Sequence, residues 1–117
     1  MQGFPPNEMP KKHRLTHAEL EELQGASGKR LQGRLFSLRA IPFPGTSPRI
    51  AIVVSKKANA KAVVRNKIRR RCRSVIASLL PSIPAGFALI VAARREAAGA
   101  SFEEVRTDLT ALVGKLR

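Results

Sequence analysis

Between Leu23 and Arg95 the chain contains no Asp or Glu, yet 16 of its 22 basic residues lie in that interval. The segment 55–73, SKKANAKAVVRNKIRRRCR, alone carries nine of them. A helix usually balances its charges through i,i+4 pairs of opposite sign, and no such pair exists here. The segment therefore folds stably only as an amphipathic element that buries an apolar stripe and offers its charge to a polyanion. At about 100° per residue, Val64, Ile68, Cys72, Val75, Ile76 and Leu79 form that stripe in a helix predicted over residues 60–80 and ended by Pro81. Arg65, Asn66, Arg69, Arg70 and Arg73 fall on one flank, with Lys67 and Arg71 on the other. Guanidinium matches phosphate bidentately, so an arginine array can fix a nucleic-acid backbone in register. Free N–H groups near residues 59–62 also favour an anion at the helix start.

The whole chain agrees with this segment. Its 117 residues carry a formal net charge of +14, and the eight acids lie near the two ends. Self-repulsion of that kind points to nucleic acid or an anionic membrane as partner. The longest apolar run, Phe87–Ala93, is strand-sized and far below the roughly 18 residues of a membrane span. Residues 1–14 have no apolar signal core. A single Cys72 cannot form an internal disulfide, which fits a reducing compartment. The expected location is cytoplasmic, with no membrane partner. With 44% hydrophobic residues the chain can build one core, but it is too short for two enzyme lobes.

Residues 1–10, with three prolines, read as a flexible tail, and residues 11–117 as one domain. Thr16 and Glu19 have capping-box spacing, Leu15 and Leu20 staple spacing, and Gly25 and Gly28 end the first helix. Residues 31–41 read as extended, with Phe36, Leu38 and Ala40 alternating against Leu35, Ser37 and Arg39. Residues 42–48 hold three prolines and form a turn. Residues 49–55 are apolar on both faces and read as a central strand. Phe87–Ala93 is a further strand. Ser101 and Glu104 cap a last helix with Val105, Leu109, Leu112, Val113 and Leu116 on its buried face. The class is α+β, a single-domain sandwich of a small sheet and helices.

Val54-Ser55-Lys56-Lys57, followed by Ala62-Val63-Val64-Arg65-Asn66-Lys67-Ile68-Arg69-Arg70, closely resembles the signature of the bacterial ribonuclease P protein subunit. Lys12-His13-Arg14-Leu15, Phe36-Ser37-Leu38, Leu89-Ile90-Val91-Ala92-Ala93-Arg94 and Ser101-Phe102-Glu103-Glu104 extend the resemblance, in order, over roughly residues 11–116. It implies the order α-β-β-β-α-β-α with a left-handed βαβ crossover, like the second domain of ribosomal protein S5, an exception to the usual hand. It also implies a first short strand around residues 28–32. The implied function is that of the protein subunit of ribonuclease P. Such a subunit binds the catalytic RNA and the 5′ leader of precursor tRNA, and assists endonucleolytic removal of the leader. The RNA carries the active site and its Mg²⁺; the protein needs no cofactor of its own, and one protein per RNA is implied. By position, Lys56, Lys57, Lys61, Arg65, Asn66, Lys67, Arg69, Arg70 and Arg73 become the RNA-binding set, with Arg65 and Arg69 foremost and Arg14 and Arg94 as additions. Leu20, Leu23, Phe36, Leu38 and Arg39 become the leader cleft. The family often places aromatics where Leu20, Leu23 and Arg39 stand, and a glycine where the chain has Ala58-Asn59-Ala60-Lys61.

Other constellations point elsewhere less well. His13 and His17 stand four apart but lack a third ligand and a site that would tune a proton-transfer group. The glutamates suit helix starts better than a two-metal nuclease. Cys72 on the apolar stripe, Phe87 and Phe102 read as core. A ribosomal-type RNA binder and a non-specific DNA binder share the basic character. A protein-only nuclease would need carboxylates in a pattern absent from the chain. A helix-turn-helix would need a helix just before the basic one.

Overall fold

The computed structural model describes residues 11–116; the tail expected over residues 1–10 lies outside them. The chain forms α1 (His17–Leu23), β1 (Lys29–Gln32), β2 (Phe36–Pro42), β3 (Arg49–Val53), α2 (Ala62–Leu79), β4 (Phe87–Ala93) and α3 (Phe102–Gly114). Short 3₁₀ turns occupy Lys11–His13, Leu80–Ser82 and Arg95–Gly99. Both predicted capping boxes form. The Thr16 hydroxyl accepts from the Glu19 amide at 3.1 Å, and the Glu19 carboxylate accepts from the Thr16 amide at 2.9 Å. Ser101 and Glu104 repeat the arrangement at the start of α3. Each pair satisfies N–H groups that a helix start leaves without partners.

The four strands pair in the order β1-β2-β4-β3. β2 runs antiparallel to β1 and β4, and β3 runs parallel to β4 through the α2 crossover. The sheet is mixed and flanked by helices, an α+β fold. The expectation of a central β3 is corrected: β3 is an edge, and β4 is paired on both sides. The chain before α1 covers the free edge of β3. The Leu15 amide donates to the Ile50 carbonyl at 2.9 Å, and Arg14 bridges Ile50. His13 Nδ1 lies 2.9 Å from the Pro48 carbonyl oxygen. An edge covered in this way does not offer itself to another strand.

Side chains alternate across the sheet. Phe36, Leu38, Ala40, Ile50, Leu89 and Val91 point to one face, where Ile68, Cys72, Val75 and Ile76 of α2 and Val105, Leu109, Leu112 and Val113 of α3 bury them. Each fully buried large side chain there contributes about 1.5–3 kcal/mol. Ser37, Arg39, Ile41, Ile90 and Ala92 point to the other face. Among the described residues, α1 covers part of it through a small cluster of Leu23, Ile41 and Ala88, with Leu15, Ala26 and Phe43 packed alongside. Phe102, expected in the core, is instead 40% exposed at the first helical position of α3. No helix among the described residues is long and apolar enough to cross a membrane.

The β1–β2 turn is held from a distance. The Asp108 carboxylate, on α3, accepts from the backbone amides of Arg34, Leu35 and Phe36 at 2.9, 3.1 and 3.0 Å. Gly33 permits the approach: a Cβ there would sit 2.6 Å from Asp108 Oδ1.

Candidate nucleic-acid interface

α2 buries Ile68, Cys72, Val75, Ile76 and Ala77, and the same geometry turns its basic residues outward. Lys56, Lys57, Lys61, Asn66, Lys67 and Arg70 are exposed, and Arg65, Arg69 and Arg73 are half-exposed. The ion pairs among the described residues are His17–Glu21, Arg34–Glu104, Arg49–Glu19, Arg94–Glu96 and Arg106–Glu103. None of these touches the Lys56–Arg73 segment. Its guanidiniums find only neutral partners. Arg65 donates to the carbonyls of Asn59 and Ala60 at 3.1 and 2.8 Å, bracing the loop before α2. Arg69 donates to Asn66 Oδ1 at 2.9 Å. Arg71 donates to the Ala100 carbonyl at 2.7 Å, tying α2 to the segment before α3. The loop, which has no glycine, is closed by Asn59, whose Oδ1 accepts from the Lys61 amide at 2.9 Å. Arg73 has its proton affinity lowered, first by burial and then by the charges of Arg69 and Arg14. Arg14 thus joins the α2 array across the β3 edge. Such like-charge crowding stores a repulsion that an anion relieves.

Cys72 lies in the same helix, yet burial pushes its thiol up to about 12 against the opposing effect of Arg73. It is a core residue without thiolate character. His17 pairs with Glu21 at 3.4 Å on the surface, so the two histidines serve separate local contacts. Among the described residues no three His, Cys, Asp or Glu side chains come together as a metal site.

A second surface lies on the other side of the sheet. A cleft of about 490 Å³ runs between α1 and the exposed sheet face, where Leu20, Gln24, Arg30, Arg39, Ile90 and Arg94 are among its walls. Two of its arginines are anchored. Arg39 Nη2 donates to the Leu23 carbonyl at 2.7 Å, and Nη1 donates to that of Gln24 at 3.2 Å. They complete the last turn of α1, whose carbonyls lack helical partners. Arg94 Nη1 donates to the Gly33 carbonyl at 2.7 Å.

Of the residues expected in the cleft, Leu20 and Arg39 line it. Leu38 is also among its walls, although it is only 1% exposed and belongs to the core beneath α2 and α3, whereas Phe36, 0% exposed in the same core, does not reach it. Strand alternation is the reason. Phe36 and Leu38 share one face, so Arg39 must take the other. Leu23 is 8% exposed and supports α1 from below. Ser37, Ile90, Ala92 and Arg30 take the places on the cleft side. None of the four was expected there; strand alternation in β2 and β4 is the signal that could have found the first three, while Arg30 became legible only with the β1–β2 register.

The family model described as Ribonuclease P matches residues 9–117. The chain belongs to the bacterial ribonuclease P protein family. The ribonuclease P protein component of Picosynechococcus is 35% identical over 105 residues, 90% of each chain. That of Microcystis aeruginosa is 37% identical over 112 residues, 92% of each chain. The solved RNase P protein of Thermotoga maritima superposes with a TM-score of 0.78 at 29% identity, covering 89% of this chain and 97% of that one. The Staphylococcus aureus protein does so at 0.78 and 25%, covering 90% and 95%. The protein is therefore the protein component of the ribonuclease P ribonucleoprotein. In that particle it binds the RNA subunit and precursor tRNA for removal of the 5′ leader.

Proposed function

We propose that the two basic surfaces divide the work of this subunit. The α2 face, with Lys56, Lys57, Lys61, Arg65, Asn66, Lys67, Arg69, Arg70, Arg73 and the added Arg14, docks the catalytic RNA. The cleft, with Leu20, Arg39 and Arg94, holds the single-stranded leader. The observation that carries this reading is the α2 face itself. Its basic residues make no ion pair among the described residues, while Arg34, Arg49, Arg94 and Arg106 elsewhere find carboxylates, Arg49–Glu19 at 2.6 Å. Protein charge lowers the cost of bringing two polyanions together, and leader contacts favour precursor over mature tRNA. The lysine and arginine donors of these surfaces cannot ligate a divalent cation, so Mg²⁺ stays with the RNA.

The assignment extends to the setting. One protein serves one RNA, in the cytoplasm, as a single RNA-binding domain over residues 11–117. The β3-α2-β4 crossover is left-handed, in the manner of the second domain of ribosomal protein S5. The parallel β3–β4 pair joined through α2 supplies the crossover, and its hand rests on the family resemblance.

The test is cleavage of precursor tRNA by a bacterial ribonuclease P RNA at low Mg²⁺, with and without the protein. Rescue at the mature 5′ end, by a protein inactive alone, is expected. Tight RNA binding without rescue would overturn the proposal. Precursor should also gain more affinity from the protein than mature tRNA does.

A further inference from the structure

Arg30 stands directly opposite Arg39 in the β1–β2 pair. Both line the cleft, together with Arg94. Like charges at paired positions of an antiparallel ladder are destabilising, so this pairing calls for an anion. The three guanidiniums are not equivalent. Arg39 is fixed by the α1 carbonyls, and its Nε is buried without a partner. Arg94 is fixed by Gly33, with Glu96 3.9 Å away. Arg30 is exposed and makes no side-chain hydrogen bond or ion pair among the described residues. The cleft lining includes no carboxylate to neutralise these charges. It includes no aromatic ring either; its apolar part is aliphatic, from residues such as Leu20 and Ile90. Base recognition without sequence preference relies on stacking against such rings.

We infer that the cleft grips the sugar–phosphate backbone of single-stranded RNA, with one phosphate bridged between Arg30 and Arg39, and that it is indifferent to the bases. The inference rests on the assignment of the cleft to the leader. A phosphate between the two arginines turns their repulsion into two charge-assisted contacts. Arg39, already anchored, supplies a fixed positive charge, and Arg30, on the edge strand, closes onto the phosphate from the other side. The aliphatic floor accommodates any sugar or base edge without selecting one.

The holoenzyme, assembled from this protein and a bacterial ribonuclease P RNA, tests this with precursor tRNA whose leader is altered one position at a time. Neutralising a single leader phosphate as a methylphosphonate should weaken binding about ten-fold at one linkage. Replacing leader nucleotides by abasic ones should change affinity less than about two-fold. Arg30→Ala should cost the normal leader about ten-fold and lower the salt slope by about one. It should cost the leader neutralised at that linkage almost nothing. Arg30→Lys should restore part of the loss, and unchanged circular dichroism in both variants would exclude misfolding. Abasic leaders that lose as much as neutralised ones would overturn the inference, as would an Arg30→Ala enzyme with unchanged affinity. The underlying assignment fails separately: Arg30→Ala would then weaken mature tRNA as much as precursor.

Discussion

Arg39 and Arg94 at the cleft and Arg69 and Arg70 on α2 share a side chain and differ in what holds them. Arg39 and Arg94 give their N–H groups to backbone carbonyls of α1 and of the β1–β2 turn. They act as struts that also carry charge. On α2, Arg69 meets only Asn66, and Arg70 has no partner among the described residues. Arginines of that kind hold nothing together, and their charge is available. A basic surface can thus be divided into framework and contact by asking which guanidiniums have lost their freedom. The division predicts opposite consequences for the same substitution. A framework arginine should be felt in stability and a contact arginine in affinity.

The sharpest test concerns the two sheet faces. Phe36→Ala should cost about 3–5 kcal/mol in a denaturant titration. Phe36→Leu should leave the affinity for leader-bearing tRNA unchanged; a selective loss there would place the ring in the cleft and end the two-face description. Asp108→Ala leaves three amides of the β1–β2 turn without their acceptor and should cost about 2–3 kcal/mol. Because the same turn carries the Gly33 carbonyl that anchors Arg94, leader affinity should fall with it. Arg39→Gln should destabilise by about 1–2 kcal/mol. Arg69→Gln should stay within about 0.5 kcal/mol of the parent in thermal unfolding, yet bind ribonuclease P RNA more weakly, with a salt slope reduced by about one. Equal stability effects would erase the distinction between framework and contact.

The smallest effect is in pH. The Thr16 amide lowers the Glu19 carboxyl from its ordinary 4.5, and the Ser101 amide does the same for Glu104. A carboxylate with a lowered folded-state pKa contributes stability above its unfolded value and loses it as pH falls through the folded one. Melting temperature should therefore drop modestly below about pH 4.5. Glu19→Gln with Glu104→Gln should flatten that drop, since Gln keeps the capping bond without the charge.

Much of this was legible in the chain. The capping boxes are local devices, and the spacing that sets them is three residues. The α2 stripe follows from helical periodicity, and Ile68, Cys72 and Ile76 lie where it puts them. What failed was long-range. Residues 49–55 are apolar on both sides, which reads as a central strand, but the cover comes from residues 13–15 and not from a neighbouring strand. Phe36 and Leu38 matched the family's cleft strand by position, while the alternation that buries both in the core and keeps Phe36 out of the cleft depends on which face α2 and α3 take. Asp108 and Arg30 carried no local mark, because their partners lie 72–74 residues away for Asp108 and across a register for Arg30. The resemblance supplied β1, which four residues of mixed polarity could not announce.

Cys72 gives this architecture a built-in clock. It is the only thiol in the chain, and it sits wholly buried where the basic helix meets the sheet. An alkylating reagent can reach it only during the moments when α2 lifts away or the molecule unfolds. Labelling rates, measured with and without bound RNA, would time that opening directly. Ligand gripping the outward side of α2 should slow the clock by the factor with which it stabilises the closed form.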